Sequence, residues 1–345
     1  MSLWTRLRRK GRRADTPQAR QAELRGAVRA LLEDDASVAE RHLAALVRAD
    51  SSDIDAYLSL AVLYRRRGEV GRAIQLHQNL LLRSELTPAD RSACLLELAH
   101  DFRQGGFLQR AVAAYEEVLA HQSRHPVALR SLVTLLADLR EYPRAIEMQR
   151  RLAKLEHASS AEAEADLLVR MAESEAGEGR SEAARRALRR ALRKDARNTD
   201  GWLLLGQMEA ERGRNKAALA AWRKIPQIDR ERGVDVYLRL GSAFAALGKP
   251  RDFEKLLRAL VAAQPDDVGA RLALARALGS SGDPDAALAE LRGVLDLDSR
   301  NLEARAILGR LLLAEQRHPD ALKEYGQLLE SLDSDSERIP RRELD

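Results

Sequence analysis

The stretch Ala56-Tyr57-Leu58-Ser59-Leu60-Ala61-Val62-Leu63-Tyr64-Arg65-Arg66-Arg67-Gly68-Glu69-Val70-Gly71-Arg72-Ala73-Ile74-Gln75-Leu76-His77 reads as two short helices joined at a glycine. Tyr57, Leu60, Ala61 and Tyr64 stand at i, i+3, i+4 and i+7, the spacing of one apolar helical face. Gly68 closes the first helix, where a left-handed backbone is cheapest for glycine, and Ala73 and His77 start a second face. The small residue Ala73 recurs along the chain as Ala39, Ala73, Ala111, Ala145, Ala184, Ala218, Phe253, Ala287 and Ala321. The gaps are 34, 38, 34, 39, 34, 35, 34 and 34 residues. A helix–turn–helix unit of that length cannot bury its apolar face alone, so the units must stack.

The period and the residue pattern resemble the tetratricopeptide repeat. Leu95, Leu98, Ala99, Phe102, Gly106, Ala111 and Tyr115 repeat the first string. So do Trp202, Leu205, Gly206, Gly213, Ala218 and Trp222, and then Tyr237, Leu240, Gly241, Phe244 and Gly248. Gly206, Gly241 and Gly309 fall where the first helix of a unit (helix A) crosses the second (helix B), so a larger side chain would push the pair apart. The expected fold is all-α, a right-handed superhelical solenoid of about nine helix-turn-helix repeats over residues 19–330. A basic disordered arm is expected at 1–18 and a flexible tail at 331–345. The fourth and fifth units are the least regular. Arg140 replaces the turn glycine, and Glu156–Glu162 adds a longer connection that Ser159 or Ser160 can cap.

Aromatics make up only 4% of the chain against 45% hydrophobic residues, so Ala and Leu must build the core. The net charge of +5 has both signs interspersed, which is not the concentrated charge of a dedicated nucleic-acid binder. Cys94 is the only cysteine, which rules out an intramolecular disulfide and a cysteine-only zinc site and fits a reducing compartment. The sequence shows neither a signal-peptide h-region nor a long apolar run, so the chain is read as soluble and cytoplasmic. His121 and His125 are four apart, but no acid or thiol joins them and Pro126 follows, so a helix-end role is expected. Cys94 is read as a small buried thiol. No phosphate-loop, nucleophile-elbow or zinc-protease motif occurs, and neither an enzyme activity nor a cofactor or metal is expected.

Two charged surfaces stand out. The helix around residues 184–194 carries Arg185, Arg189 and Arg193 in one stripe and Arg186, Arg190 and Lys194 in another. As a helix B it should face the convex side. It reads either as a solvated face or as a secondary site for an acidic protein, lipid or RNA, though no aromatic is present to stack bases. The other surface is the concave groove, whose lining the tetratricopeptide resemblance assigns to fixed helix-A positions. Here these give Arg65, Arg66, His100, Arg103, Arg130, Gln207, Arg276 and Arg310, with Leu58, Leu203, Leu238, Ser242 and Leu272 among them. Guanidinium groups beside apolar ones suit a peptide or protein client carrying carboxylates. Arg65, Arg66 and Arg103 are expected to contact it, and Arg65 and Arg103 to lie off the core face.

Residues 56–111 resemble a narrower group. The string Arg67-Gly68-Glu69-Val70-Gly71-Arg72-Ala73-Ile74-Gln75-Leu76-His77-Gln78-Asn79-Leu80 and the run Gly106-Phe107-Leu108-Gln109-Arg110-Ala111 are similar to the lipopolysaccharide assembly protein B family. That resemblance implies an adaptor at the cytoplasmic face of the inner membrane. It would present a lipid A biosynthetic enzyme to a membrane protease and so set lipopolysaccharide output. The family's N-terminal membrane helix and C-terminal rubredoxin-like zinc module have no counterpart in this reading; the basic arm, through residues 3–13, would supply a weak peripheral membrane contact instead. Two other functions stay open, an assembly factor for a pilus, secretion or motility machine, and a nucleic-acid binder using residues 185–197.

Overall fold

The structure, a computed structural model, describes residues 17–336, and among them the chain is helical with no strand. The expected basic arm lies almost wholly outside the described residues, as does the expected tail beyond Ser336. Helix α1 begins already at Pro17, which needs no amide partner in a first turn.

The helices come in nine antiparallel pairs. They are α1 (Pro17–Leu32) with α2 (Ala36–Ala49), α3 (Ile54–Arg66) with α4 (Val70–Leu81), and α5 (Pro88–Gln104) with α6 (Leu108–His121). Next come α7 (Pro126–Asp138) with α8 (Tyr142–Glu156), α9 (Ala161–Gly177) with α10 (Ser181–Lys194), and α11 (Thr199–Glu211) with α12 (Asn215–Trp222). A one-turn helix, α13 (Ile225–Ile228), follows α12. The last pairs are α14 (Val234–Ala246) with α15 (Pro250–Ala263), α16 (Val268–Ser281) with α17 (Pro284–Leu297), and α18 (Leu302–Ala314) with α19 (His318–Ser336). Two compact units divide the chain at Leu167 and Leu168, inside α9.

The same turn joins the helices of successive pairs. The Glu69 amide donates to the Tyr64 carbonyl (2.9 Å), Phe107 to Phe102 (2.8 Å), Glu141 to Leu136 (2.7 Å) and Arg214 to Glu209 (2.9 Å). This six-to-one bond closes a helix end only if the residue before the donor is left-handed. Gly68 (φ 78°) shows why glycine sits there, and Arg140 (φ 61°) takes the same conformation in the fourth pair despite its side chain. The start of an A helix is instead capped by a side chain. Asp53 accepts from the Ala56 amide (3.1 Å), Asn198 from Gly201 (2.8 Å) and Asp267 from Ala270 (2.9 Å). The long connection after α8 behaves as the sequence suggests. His157 ends the helix in a left-handed conformation, and Ser159 Oγ accepts from the Ala161 amide (3.2 Å).

Within a pair, a small residue on helix A receives a large one from helix B. A Cβ on Gly309 would stand 2.8 Å from the Tyr325 ring, and one on Gly241 3.1 Å from Phe253. At Gly206 it would collide with the Trp222 indole, which fills the gap and donates Nε1–H to the Leu203 carbonyl (3.2 Å). Phe253 occupies the position that is alanine in the other pairs, and Gly241 makes the room. The last two pairs also share an ion pair across their helices: Arg271 to Glu290 (2.7 Å) and, 34 residues on, Arg305 to Glu324 (3.0 Å).

Gly206→Ala should therefore destabilise the protein by about 1–3 kcal/mol, because a buried indole has to move. Gly71→Ala, in a helix with open space around it, should stabilise it by up to about 1 kcal/mol. Urea unfolding of both variants checks the pair; equal effects would contradict the packing.

Candidate functional site

The A helices present the residues expected to line the groove, and the structure sorts them into two groups. In the first unit Arg65 is not available to a client. Its Nη1 donates to Asp101 Oδ1 (2.9 Å) and to the Glu97 carbonyl (3.2 Å), and its Nη2 to Glu97 Oε2 (2.7 Å). Asp101 is fully buried, and its other oxygen lies 2.5 Å from Nδ1 of His77, itself fully buried. The cluster ties α3, α4 and α5 together. The expectation that Arg65 lies off the core face is thus corrected: its guanidinium is the counter-charge that lets a carboxylate sit inside. The sequence signal was Asp101 between Leu98 and Phe102 at an inward register, with His77 where later repeats carry Tyr115, Trp222 and Tyr325.

Cys94 joins this cluster, buried and donating Sγ–H to the His77 carbonyl (3.3 Å). Burial pushes its thiol up to about 12, far from a reactive thiolate. His100 is half-buried with its ring 5.6 Å from that of Tyr115. Burial pushes its imidazole below the ordinary value; Glu97 pulls the other way, while Arg65 and Arg103 add to the drop. Its surroundings thus disfavour the charged form of the ring. Arg130 is paired with Glu156 (2.5 Å), Gln207 donates to Glu211 (3.2 Å), and Arg276 is paired with Glu303. Arg66, Arg103 and Arg310 are exposed on their A helices.

In the second unit the A helices leave a groove that is mainly apolar at one end and flanked at the other by Arg230, Glu231, Asp266, Arg276 and Glu303. Two adjoining cavities of about 470 and 480 Å³ run along α14 and α16. Leu238, Ser242, Leu272 and Arg276, all expected groove residues, line them together with Val234, Gly241 and Ala273. Leu238 is 83% exposed and Val234 60%, although both are large and apolar. Gly241 and Phe253 both line the second cavity, the Phe253 ring taking the space that a Cβ on Gly241 would need. The helix period alone did not show that the apolar surface would gather at this step.

The basic stripes are corrected at one position. Arg185 is buried between α10 and α11, paired with Glu209 (2.7 Å) and with Glu182 (3.2 Å). Arg186, Arg189, Arg190, Arg193 and Lys194 are exposed as expected. His125 takes the helix-end role expected of it, its Nδ1 accepting from the Ala128 amide (3.2 Å). Among the described residues no group of three or more His, Cys, Asp or Glu is placed to hold a metal, and no helix is long and apolar enough to cross a membrane.

Repeating pairs, left-handed turns and small-on-large crossings are matched by family models for the tetratricopeptide repeat, one over residues 79–300 and another over 24–90 and 272–337. The chain belongs to the tetratricopeptide repeat family. Such arrays use extended repeat surfaces to bind proteins. Lipopolysaccharide assembly protein B of Escherichia coli K12 is 24% identical over 216 residues, covering 63% of this chain and 56% of that protein. The Haemophilus influenzae protein of the same name is 33% identical over 104 residues, 30% of this chain and 26% of that one. The chain thus spans about half the length, or less, of these curated relatives. Among solved structures, that of MamA protein is 19% identical over 51% of this chain and 95% of its own, with a TM-score of 0.38.

Removing the buried carboxylate with Asp101→Ala should cost about 3–5 kcal/mol, since Arg65 and His77 lose their shared partner. Arg103→Ala should change stability by less than about 0.5 kcal/mol; chemical denaturation distinguishes the two. Cys94 should resist a thiol-specific reagent in the native protein and react at once in denaturant. Rapid native labelling would show that the cluster is open.

Proposed function

We propose that this protein is a non-enzymatic scaffold that holds a client peptide or protein segment in the groove of α14 and α16. The observation that carries the reading is Leu238. A leucine side chain four-fifths exposed over two adjoining cavities has no role in folding, and removing it from water favours whatever docks there. Arg310, in the same unit, supplies an exposed cation on the next A helix, α18, suited to an acidic group of the client. Burial of the exposed leucine supplies the affinity and the cation helps set the orientation.

The similarity to lipopolysaccharide assembly protein B directs the search for the client to lipopolysaccharide assembly, with a membrane protease and its substrate as the first partners to examine. That part of the proposal is independent of the groove. It is tested by measuring lipopolysaccharide content in cells from which the gene has been deleted; unchanged content sets it aside.

Leu238→Asp should weaken client capture by about 2 kcal/mol or more, because it replaces the apolar surface that the client would bury with a charge that must be desolvated. Arg310→Ala should cost less and flatten the salt dependence. Both variants should melt as the wild type does. Quantitative capture from the native cells, with the bound proteins identified by mass spectrometry, reads the difference. Normal capture by Leu238→Asp removes the groove from the account.

A further inference from the structure

Between Arg180 and Lys224 the chain carries thirteen Arg and Lys against five Asp and Glu, while the whole chain is only +5. The remainder is therefore slightly acidic on balance, and six of the thirteen basic residues stand on the B helix α10, with most of the others in the turns around α11 and α12. The acids of this segment are already engaged. Glu182 pairs with Arg185 and Arg212, Glu209 with Arg185 and Arg214, and Asp200 with Arg232. Asp195 accepts from the Arg197 amide and Glu211 from Gln207. Arg186, Arg189, Arg190 and Arg193 on α10, and Arg223 and Lys224 just after α12, are exposed, with no acid within ion-pair distance among the described residues. The Arg212–Glu182 contact (2.7 Å) brings the turn that leads into α12 against the start of α10, while Arg186, Arg189, Arg190 and Arg193, at i, i+3, i+4 and i+7, share one face of α10.

We propose that this outer face docks on an anionic, phosphate-bearing lipid surface. The planar guanidinium fork matches phosphate oxygens, and α10 alone offers four of them along about 11 Å of helix. The exposed positions of α10 hold no aromatic and no large apolar side chain. There is nothing to stack bases, as single-stranded nucleic acid requires. There is equally no apolar anchor for the core of a protein interface. A plane of headgroups needs neither, only a flat, dense array of cations, and binding of this kind is reversible and salt-sensitive. The face lies on B helices, away from the groove formed by the A helices α14 and α16, so lipid contact and client capture do not compete for the same residues.

The test is co-sedimentation of the full chain with vesicles of phosphatidylglycerol and phosphatidylcholine, one part to three, beside vesicles of phosphatidylcholine alone. The wild type should bind the mixed vesicles only and be released by high salt. Each basic residue at such a surface is worth about five-fold in binding. The triple variant Arg189→Gln, Arg190→Gln, Arg193→Gln should thus bind on the order of 100-fold more weakly while melting normally. The corresponding triple Lys variant should keep most of the binding. Neutralising Arg6, Arg8, Arg9, Arg12 and Arg13 should leave most of it too. Failure of the wild type to bind the mixed vesicles overturns the proposal, as does wild-type binding by the Gln variant or loss confined to the arm variant. Tighter binding to duplex DNA or RNA than to vesicles of equal phosphate content also overturns it, assigning the face to nucleic acid.

Discussion

Everything in this fold depends on two helices approaching through a residue with almost no side chain. Gly206 beneath Trp222 and Gly309 beneath Tyr325 are two instances of one contact, and Gly241 beside Phe253 is a variant of it in which the ring comes from the position one turn earlier on helix B. The large group belongs to helix B and buries itself against its own partner helix, so each pair satisfies much of its apolar need internally. What remains for neighbouring pairs is a thin layer of Ala and Leu, as in Ala270, Leu274, Ala287 and Leu308. With so few aromatics, the chain stabilises itself by closeness rather than bulk; dispersion grows with the number of atoms in contact. The left-handed turn fixes the second helix relative to the first, and a side-chain cap starts the next pair. Every A helix is thereby left with one face that the repeat does not use.

Polar residues placed inside change what that free face can do. Asp101 is held between Arg65 and His77, and Glu209 is held by Arg185. A buried pair of this kind adds little net stability over an apolar substitute, yet losing one partner is costly. Its effect is selective: only the register that brings α3, α4 and α5 together satisfies all three groups. The consequence for function is that two arginines on otherwise cationic stretches are withdrawn from the surface. Arg66 and Arg103 remain beside the first, and Arg186, Arg189, Arg190 and Arg193 beside the second.

Most of the architecture was legible in the sequence, because a 34-residue period and glycines at fixed offsets are local signals. Gly68, Gly106 and Gly213 mark turns by composition alone, and Arg140 could be placed at the same turn from the register. The nine pairs follow from counting. The candidate site was legible only in part. Position within the repeat told which residues share a face, and Leu238, Ser242, Leu272 and Arg276 do line one groove. Whether a charged residue on that face is free depends on a partner 24 or 36 residues away, as with Asp101 for His77 and Arg65. Inward polar residues in an otherwise apolar register were the available warning. The exposure of Val234 and Leu238 over one groove depends on how α14 and α16 pack together, which the helix period does not encode.

The protein thus offers a groove on one set of helices and a cationic face on the other. The proposed seat of the client is the groove. A photo-crosslinking residue placed at position 238 in the full chain, with a matching one at position 189, tests this most directly in native cells. A client in the groove should give a discrete protein adduct from position 238 and none of the same mass from position 189. An adduct formed at position 189 and absent at position 238 would contradict it.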